Sequence, residues 1–239
     1  MQKNTSNLTH TSKYRPESFA YSDRALAVPL FTISPILAGI SLSKIAKRAI
    51  DILGATIGMI ILLPVLLAVA IAIRFDSSGP VIYPSRRVGL QGKSFSCLKF
   101  RTMVQNAHRL RNELSHLNER NGVLFKIAKD PRITRVGAFL RRYSIDELPQ
   151  LWNVLIGNMS LVGPRPSLRN EVAQYTKAQR RRLDALPGIT GLWQVKARHD
   201  PSFESYIRLD HEYVDQWSIW LDLKILLSTI GVVLRGTGT

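Results

Sequence analysis

A long apolar segment, residues 49–73 (AIDILGATIGMIILLPVLLAVAIAI), constrains the fold of this chain more than any other feature. Its single charged residue is Asp51. At about 1.5 Å per residue, a straight helix of this length exceeds the ~30 Å hydrocarbon core of a bilayer. A helix of a soluble domain normally keeps a polar stripe, which this segment lacks. The sequence therefore predicts a helix that inserts into a membrane.

The flanks of this segment bear on whether the helix crosses the membrane or enters and returns. Three basic residues precede the segment and three follow it: Lys44, Lys47, Arg48, Arg74, Arg86 and Arg87. Basic residues mark the cytoplasmic side of a membrane, and Pro64 removes a helical hydrogen bond inside the segment. A helix broken at Pro64 would keep both flanks in the cytoplasm, so residues 44–75 are predicted to form a re-entrant membrane helix. A kinked spanning helix is the alternative.

The rest of the chain divides around this helix. Residues 1–24 are polar and without periodicity, and residues 25–42 are apolar but interrupted by two prolines. We expect residues 1–43 to form a flexible N-terminal extension whose apolar part lies against the membrane. Residues 76–239 alternate short apolar runs with polar helices, which is typical of a soluble domain.

The domain of residues 76–239 is predicted to be α+β and mostly helical. A β-hairpin is expected over residues 80–103, because residues 94–100 alternate like a strand after a glycine-containing turn. Further helices are predicted over residues 106–121, 146–156, 168–186 and 217–234. The last one begins with two tryptophans and carries Asp222 and Lys224. This favours an amphipathic helix at the membrane interface, with a helix of the domain core as the alternative.

The charge of the chain limits the classes of partner. Lys and Arg total 33 against 17 Asp and Glu, a formal net charge of +16. Such an excess favours an anionic partner, whether nucleic acid, anionic lipid or a phosphorylated substrate. The single cysteine, Cys97, excludes an intramolecular disulfide and fits a reducing compartment.

Two adjacent carboxylates, Asp146 and Glu147, lie within this basic chain, directly after an Arg-Arg pair. Ser144 and Glu147 match a capping box, and Asp146 is itself a natural N-cap of the following helix. A box that starts at Ser144, however, would place Pro149 where its missing N–H matters. The alternative is chemical: one carboxylate attacks phosphorus to form an acyl phosphate while its neighbour binds Mg²⁺.

A second candidate site is the sequence Gly163-Pro164-Arg165-Pro166. Two prolines fix the backbone on either side of Arg165, and an arginine fork suits bidentate contact with phosphate. A rigid surface loop is the alternative. Other basic clusters of the same domain include Lys99-Phe100-Arg101 and Arg141-Arg142.

Six stretches together resemble one protein family. They are KRAIDI, SSGPVIYPSRRVG, KFRTM, DPRITRVGAFLRRYSIDELPQLWNVLIGNMSLVGPRP, PGITGLWQV and WLDLKILLSTIGVVLRG. Over residues 45–236 the chain resembles the bacterial sugar transferases, monotopic phosphoglycosyl transferases that start polysaccharide and glycoconjugate assembly. It looks most similar to the short exopolysaccharide-initiating members.

The resemblance implies transfer of a sugar 1-phosphate, of the glucose or galactose type, from a UDP-sugar to undecaprenyl phosphate with release of UMP. It implies a covalent phosphosugar intermediate on Asp146 and Mg²⁺ held by Glu147, with Asp146 as a second ligand. It further implies that Lys99, Arg101 and Arg165 bind phosphate and that Arg198 lies near the nucleotide. Pro64 corresponds to the proline that breaks the family's re-entrant helix.

The resemblance also implies partners and a location. The enzyme would lie in the inner membrane with its catalytic domain on the cytoplasmic face, and would bind the bilayer but no nucleic acid. A homodimer and downstream glycosyltransferases are further expected partners. The competing functions are a membrane-tethered basic binding protein and an inactive scaffold. Five residues depart from the family pattern and bear on its specificity or its membrane helix: Leu63, Asn158, Lys196, Ala197 and His199.

Overall fold

A computed structural model describes residues 41–107, 109–114, 116, 127, 130–198, 200 and 202–236. Most of these residues are helical, and two small two-stranded sheets complete the fold, which confirms the mostly helical α+β class. The helices are α1 Leu42–Asp76, α2 Leu110–Glu113, α3 Arg135–Arg142, α4 Gln150–Leu155, α5 Arg169–Ala173, α6 Leu192–Lys196, α7 Phe203–Gln216 and α8 Ile219–Leu234. The strands are β1 Ile82–Val88, β2 Ser94–Phe100, β3 Ser160–Val162 and β4 Gly188–Thr190. The predicted extension of residues 1–43 falls almost entirely outside the described residues.

Helix α1 contains the predicted membrane segment and is the one helix of the described residues that is long and apolar enough to cross a membrane. It has 35 residues and continues through Pro64, so the break predicted there is not seen. A proline removes only its own N–H from the helical ladder, and the neighbouring hydrogen bonds hold the helix together. The re-entrant path itself stays a prediction.

One face of α1 packs against the domain along its whole length. In the first half, Ala55 is buried in a core with Leu151 and Met159. In the second half, Val69 and Ile73 are buried with Phe100 and Leu140. The opposite face exposes large apolar side chains, namely Leu53, Ile57, Ile60, Ile61, Leu67, Ile71 and Phe75. Both halves of α1 therefore belong to the same domain, and its other face is left for an apolar environment.

The only acid of the apolar segment, Asp51, is buried in a polar network rather than in lipid. Its carboxylate accepts hydrogen bonds from the Ser160 hydroxyl and the Leu161 amide, at 3.0 and 2.9 Å. The Lys47 ammonium lies 3.6 Å from Asp51 and 2.8 Å from Asp222 of α8. The network thus ties α1 to β3 and α8.

The hairpin of β1 and β2 confirms the prediction for residues 80–103. The strands are antiparallel, with Ser85 paired to Cys97, and β2 covers residues 94–100 as predicted. The turn between them needs left-handed backbone at Gln91 and Gly92, with φ of 53° and 80°. A second sheet, in which β3 and β4 are parallel, was not predicted.

Two helix predictions are corrected, and a third is refined. Among the described residues of 106–121, only α2 and residue 116 are helical, and the left-handed φ of 69° at Asn106 excludes a helix that starts there. Residues 168–186 form two pieces, α5 and a 3₁₀ helix at Gln179–Asp184. Helix α8 contributes to the domain core through the buried Ile225, and it exposes Trp220 and Leu227 on its other side. Its place at the membrane interface stays a prediction.

Candidate active site

The adjacent carboxylates lie on a 3₁₀ turn, Ile145–Glu147, between α3 and α4. Asp146 is therefore not the N-cap of α4, which begins only at Gln150 after Pro149. The capping box is not formed either: Ser144 has a left-handed φ of 57°, and its side chain makes no capping hydrogen bond. Its hydroxyl instead accepts a hydrogen bond from Arg198, at 2.9 Å. The two carboxylates are thus free of the structural role that a helix start would give them.

Glu147 is strongly paired with cations. Its Oε1 accepts a hydrogen bond from the Lys99 ammonium at 2.6 Å and lies 3.6 Å from Arg165 Nη1. Burial by itself raises the pKa of Glu147, but the charges of Lys99, Arg165 and Arg198 outweigh burial and hold this pKa at about 2. Glu147 is therefore an anion at any physiological pH.

Asp146 lies in a different environment from its neighbour. It is buried, and its nearest cation is Lys99, whose ammonium is 4.0 Å away. Burial raises the pKa of Asp146, the charge of Glu147 raises it further, and Lys99 and Arg141 offset this only in part. The pKa values of these two adjacent carboxyl groups are thus shifted in opposite directions. Such a pattern is common where two groups have separate chemical roles.

The predicted cations Lys99, Arg165 and Arg198 are all brought to these carboxylates. Arg101 is not, because its guanidinium faces the end of α1. There its Nη2 donates to the carbonyl oxygen of Ser77 at 2.6 Å and to that of Ile73 at 3.4 Å. In this structure Arg101 therefore contacts the carboxyl end of α1 and not the carboxylates, and its phosphate-binding role stays a prediction.

Two further arginines of the site were not predicted. Arg87 lines a small cavity together with Cys97, Lys99, Glu147, Gln150, Arg165, Pro166, Gly188 and Ile189. Its guanidinium donates to the carbonyl oxygen of Pro166 at 3.2 Å. The positive charge of Arg141 lowers the pKa of Asp146, and its guanidinium donates a hydrogen bond to the Thr102 hydroxyl at 2.9 Å. Both arginines belong to basic clusters that are visible in the sequence, but only the tertiary fold determines that their side chains point toward the site.

The site carries an excess of positive charge. Two carboxylates, Asp146 and Glu147, face four basic side chains, those of Lys99, Arg141, Arg165 and Arg198. Arg87 lines the same cavity, and the charge of Glu171 acts on both Arg87 and Arg165. The Arg165 side chain keeps 37% of its surface exposed, so it is accessible to a ligand. An anionic ligand such as a phosphate would balance this excess.

The oxygen ligands that Asp146 and Glu147 offer determine which kind of metal ion the site could hold. The described residues contain no cluster of three or more His, Cys, Asp or Glu side chains that could hold one. Mg²⁺, however, is commonly held by one or two carboxylates together with substrate phosphates and water. The two carboxylates fit such an ion and not one enclosed by protein ligands alone.

Of the described residues that depart from the family pattern, Lys196 and Asn158 bond to residues other than the carboxylates, and Ala197 directly precedes Arg198. Lys196 pairs with Glu212 of α7 at 2.9 Å, on the surface. Ala197 ends α6, and the Asn158 amide donates to the Asn153 carbonyl oxygen. His199 falls outside the described residues.

Comparison with known proteins gives concordant matches. The galactosyl transferase CpsE of Streptococcus agalactiae is 48% identical over 195 residues, which are 81% of this chain and 43% of CpsE. The undecaprenyl-phosphate galactose phosphotransferase of Salmonella typhimurium is 43% identical over 203 residues, 82% of this chain and 42% of that protein. The exopolysaccharide production protein ExoY of Rhizobium meliloti is 38% identical over 220 residues, 90% of this chain and 97% of ExoY.

The chain spans less than half the length of the first two relatives and nearly all of the third. A sequence model that describes bacterial sugar transferases matches residues 42–236, which include α1, both sheets and the basic cluster around Asp146 and Glu147. The chain therefore belongs to the bacterial sugar transferase family.

Proposed function

We propose that this protein transfers a sugar 1-phosphate from a UDP-sugar to undecaprenyl phosphate and releases UMP, as the first membrane step of exopolysaccharide synthesis. The observation that carries the proposal is the adjacent pair Asp146 and Glu147, with Lys99 2.6 Å and Arg165 3.6 Å from the Glu147 carboxylate. Relatives named for galactosyl or galactose phosphate transfer support UDP-galactose as the first donor to test, with UDP-glucose as the second.

Asp146 is the proposed nucleophile. Its carboxylate oxygen forms a bond to the phosphorus that carries the sugar, and the bond from that phosphorus to the bridging oxygen breaks, so UMP leaves with that oxygen. A phosphate oxygen of undecaprenyl phosphate then attacks the same phosphorus and releases the Asp146 carboxylate. Because burial keeps Asp146 poorly solvated, its ionised form has few water molecules to shed before attack.

The neighbouring charges have separate proposed tasks. Lys99 and Arg165 bind the diphosphate of the donor and stabilise charge that develops on it in the transition state. Glu147, with Asp146, would hold Mg²⁺, and a bound Mg²⁺ would supply positive charge against the donor phosphates. Arg198 would contact the nucleotide, and its hydrogen bond to Ser144 beside the carboxylates supports this role.

We further propose that α1 enters the bilayer and returns, so that the domain lies on the cytoplasmic face of the inner membrane. The packing of both halves of α1 on one domain supports this topology over a free-standing span. Cysteines placed at the exposed positions Lys44 and Ser78 should both react with a membrane-impermeant thiol reagent only from the cytoplasmic side. Native Cys97 is fully buried, so it should not add a background signal. Reaction of either cysteine from the outside would show a spanning helix.

The test of the proposed activity is UMP release from a panel of UDP-sugars. The protein in lipid nanodiscs is mixed with undecaprenyl phosphate, Mg²⁺ and one of UDP-galactose, UDP-glucose or UDP-N-acetylgalactosamine. We expect release with a hexose donor that requires both the lipid phosphate, for multiple turnovers, and Mg²⁺. Tight polynucleotide binding with steep salt dependence and no UMP would instead favour a basic binding protein. The expected homodimer and downstream glycosyltransferases stay predictions.

A further inference from the structure

A second buried charge cluster lies behind the phosphate-binding loop of residues 163–167. Its centre is Arg182, on the 3₁₀ helix Gln179–Asp184, with 1% of its surface exposed. The guanidinium forms an ion pair with the buried Asp210 of α7 and lies 4.3 Å from the centre of the Tyr206 ring. Burial alone lowers the pKa of Arg182, but Tyr206 and Asp210 more than offset this, so Arg182 stays charged.

Arg182 holds the loop on both sides of Pro166. One guanidinium nitrogen donates to the Arg165 carbonyl oxygen at 2.8 Å, and the other donates to the Ser167 hydroxyl at 2.6 Å. The Tyr206 hydroxyl lies 3.4 Å from the same Arg165 carbonyl oxygen. The backbone of Arg165 is therefore fixed by side chains from two distant elements, in addition to the flanking prolines.

The backbone and the side chain of Arg165 have different partners. Its carbonyl oxygen is bound by the buried cluster, while its guanidinium reaches out to within 3.6 Å of Glu147. A shift of the backbone by a fraction of an ångström would move the guanidinium away from a bound phosphate. Alignment at this level is what positioned charges supply to phosphoryl transfer.

Stability is a weak reason to bury this ion pair. Removing two charges from water is costly, and an apolar pair of the same volume is often as stable. The two terminal nitrogens of Arg182, by contrast, lie within hydrogen-bond distance of five acceptors, three of which share the two hydrogens of Nη2. Neither lysine nor an apolar side chain can reproduce these contacts. The geometry fits a device that fixes the direction of the loop.

We propose that Arg182, supported by Tyr206 and Asp210, is a positioning residue that acts through Arg165 to align its guanidinium with the donor phosphate. This inference rests on the proposed function, because Arg165 is taken to bind that phosphate. Arg182 itself faces the interior and touches no substrate.

The test is a double-mutant cycle on the full chain in nanodiscs, with UMP release from UDP-galactose as the readout. Arg182→Lys keeps the charge opposite Asp210 but loses the fork. It should lower kcat/KM about tenfold in the wild-type background and less than about twofold when Arg165 is already lysine, because the two changes damage the same interaction. An equal loss in both backgrounds, or wild-type kinetics, would overturn the assignment.

A matched control lies beside Arg182. Arg181 pairs with Asp215 at 2.6 Å and joins the same two elements, but on the surface. Arg181→Lys should leave kcat/KM unchanged in both backgrounds. If Arg182→Lys lowers the melting temperature too far for kinetics, Tyr206→Phe replaces it in the same cycle, with an expected loss of about threefold that again disappears when Arg165 is lysine.

Hydrogen exchange separates this inference from the proposed function. Peptides that cover residues 163–168 should exchange faster in Arg182→Lys than in wild type or Arg181→Lys, while peptides of β1 and β2 should be unchanged. Unaltered exchange in the loop refutes the positioning role whether or not the wild-type protein releases UMP. Absence of UMP from the wild type, with the loop loosened, would refute the proposed function and with it the alignment of a donor phosphate.

Discussion

The buried charge cluster around Lys47 and the cluster around Asp146 and Glu147 differ in the balance of their charges. Around Lys47, the acids Asp51 and Asp222 receive hydrogen bonds from hydroxyl, amide and indole groups, at the junction of α1, β3 and α8. Around Asp146 and Glu147, basic side chains outnumber the acids. Three of the four carboxylate oxygens of the first cluster accept hydrogen bonds from the protein, and Asp51 Oδ2 is the one that does not. The second cluster instead carries an excess of positive charge that an anion would balance. We interpret the Lys47 cluster as one that holds α1 to the domain, and the Asp146 and Glu147 cluster as one that binds an anionic ligand.

The largest effect is expected when the catalytic cluster loses its proposed nucleophile. Asp146→Asn is nearly isosteric but cannot form the acyl phosphate, so turnover should fall by at least ~10³-fold. The fold should persist, because the amide removes a carboxylate that burial disfavours. Asp215→Asn, at an exposed position of α7, is the control and should keep full activity. An active Asp146→Asn enzyme would leave the carboxylate without a chemical role.

The anchoring cluster should respond in stability. Lys47→Met leaves Asp51 and Asp222 without their shared cation, and breaking a buried pair in this way costs about 3 kcal/mol of unfolding free energy. Lys44→Met, one turn earlier on the exposed side of α1, should cost almost nothing. Denaturant titration in detergent compares the two variants. Equal midpoints would mean that the Lys47 network does not hold α1 to the domain.

A smaller loss is expected for Arg165→Lys. Lysine keeps the charge near Glu147 but loses the bidentate fork, so kcat/KM should fall about tenfold, the equivalent of one charge-assisted hydrogen bond. The matched control is Arg169→Lys at the exposed start of α5. Wild-type kinetics for Arg165→Lys would remove this arginine from phosphate binding.

The two carboxylates should show opposite pH dependence of stability. The folded-state pKa of Glu147, about 2, lies below its unfolded value, so this residue stabilises the fold above pH ~4.5 and loses that contribution as the pH falls toward 2. The pKa of Asp146 is raised, so protonation of Asp146 stabilises the fold as the pH falls. At pH 7, Glu147→Gln should therefore lower the melting temperature and Asp146→Asn should hold or raise it. Shifts of the same sign would show that the two environments are alike.

Features set by local sequence could be predicted. The alternation of residues 94–100 and the turn before them give β2 and the hairpin, and the apolar run gives α1. The resemblance brought Asp146, Glu147, Lys99, Arg165 and Arg198 into one candidate site, and the structure places them together.

Features set by long-range contacts could not be predicted. The sheet of β3 and β4 joins Val162 to Thr190, which lie far apart in the chain. Periodicity also does not tell a buried arginine from an exposed one: Arg181 and Arg182 are neighbours, yet one is on the surface and the other in the core. The position of Arg101 was also unpredictable from the sequence, because its contact with Ser77 depends on where α1 ends.

The most direct test of the account is the mass of the protein after reaction with the donor alone. Wild-type protein in nanodiscs is incubated with UDP-galactose and Mg²⁺ in the absence of undecaprenyl phosphate, then digested and analysed by mass spectrometry. The account predicts release of one UMP per active site and a hexose phosphate on the peptide that carries Asp146, removed when the lipid phosphate is added. UMP release without an adduct, or an adduct on a residue other than Asp146, would contradict it.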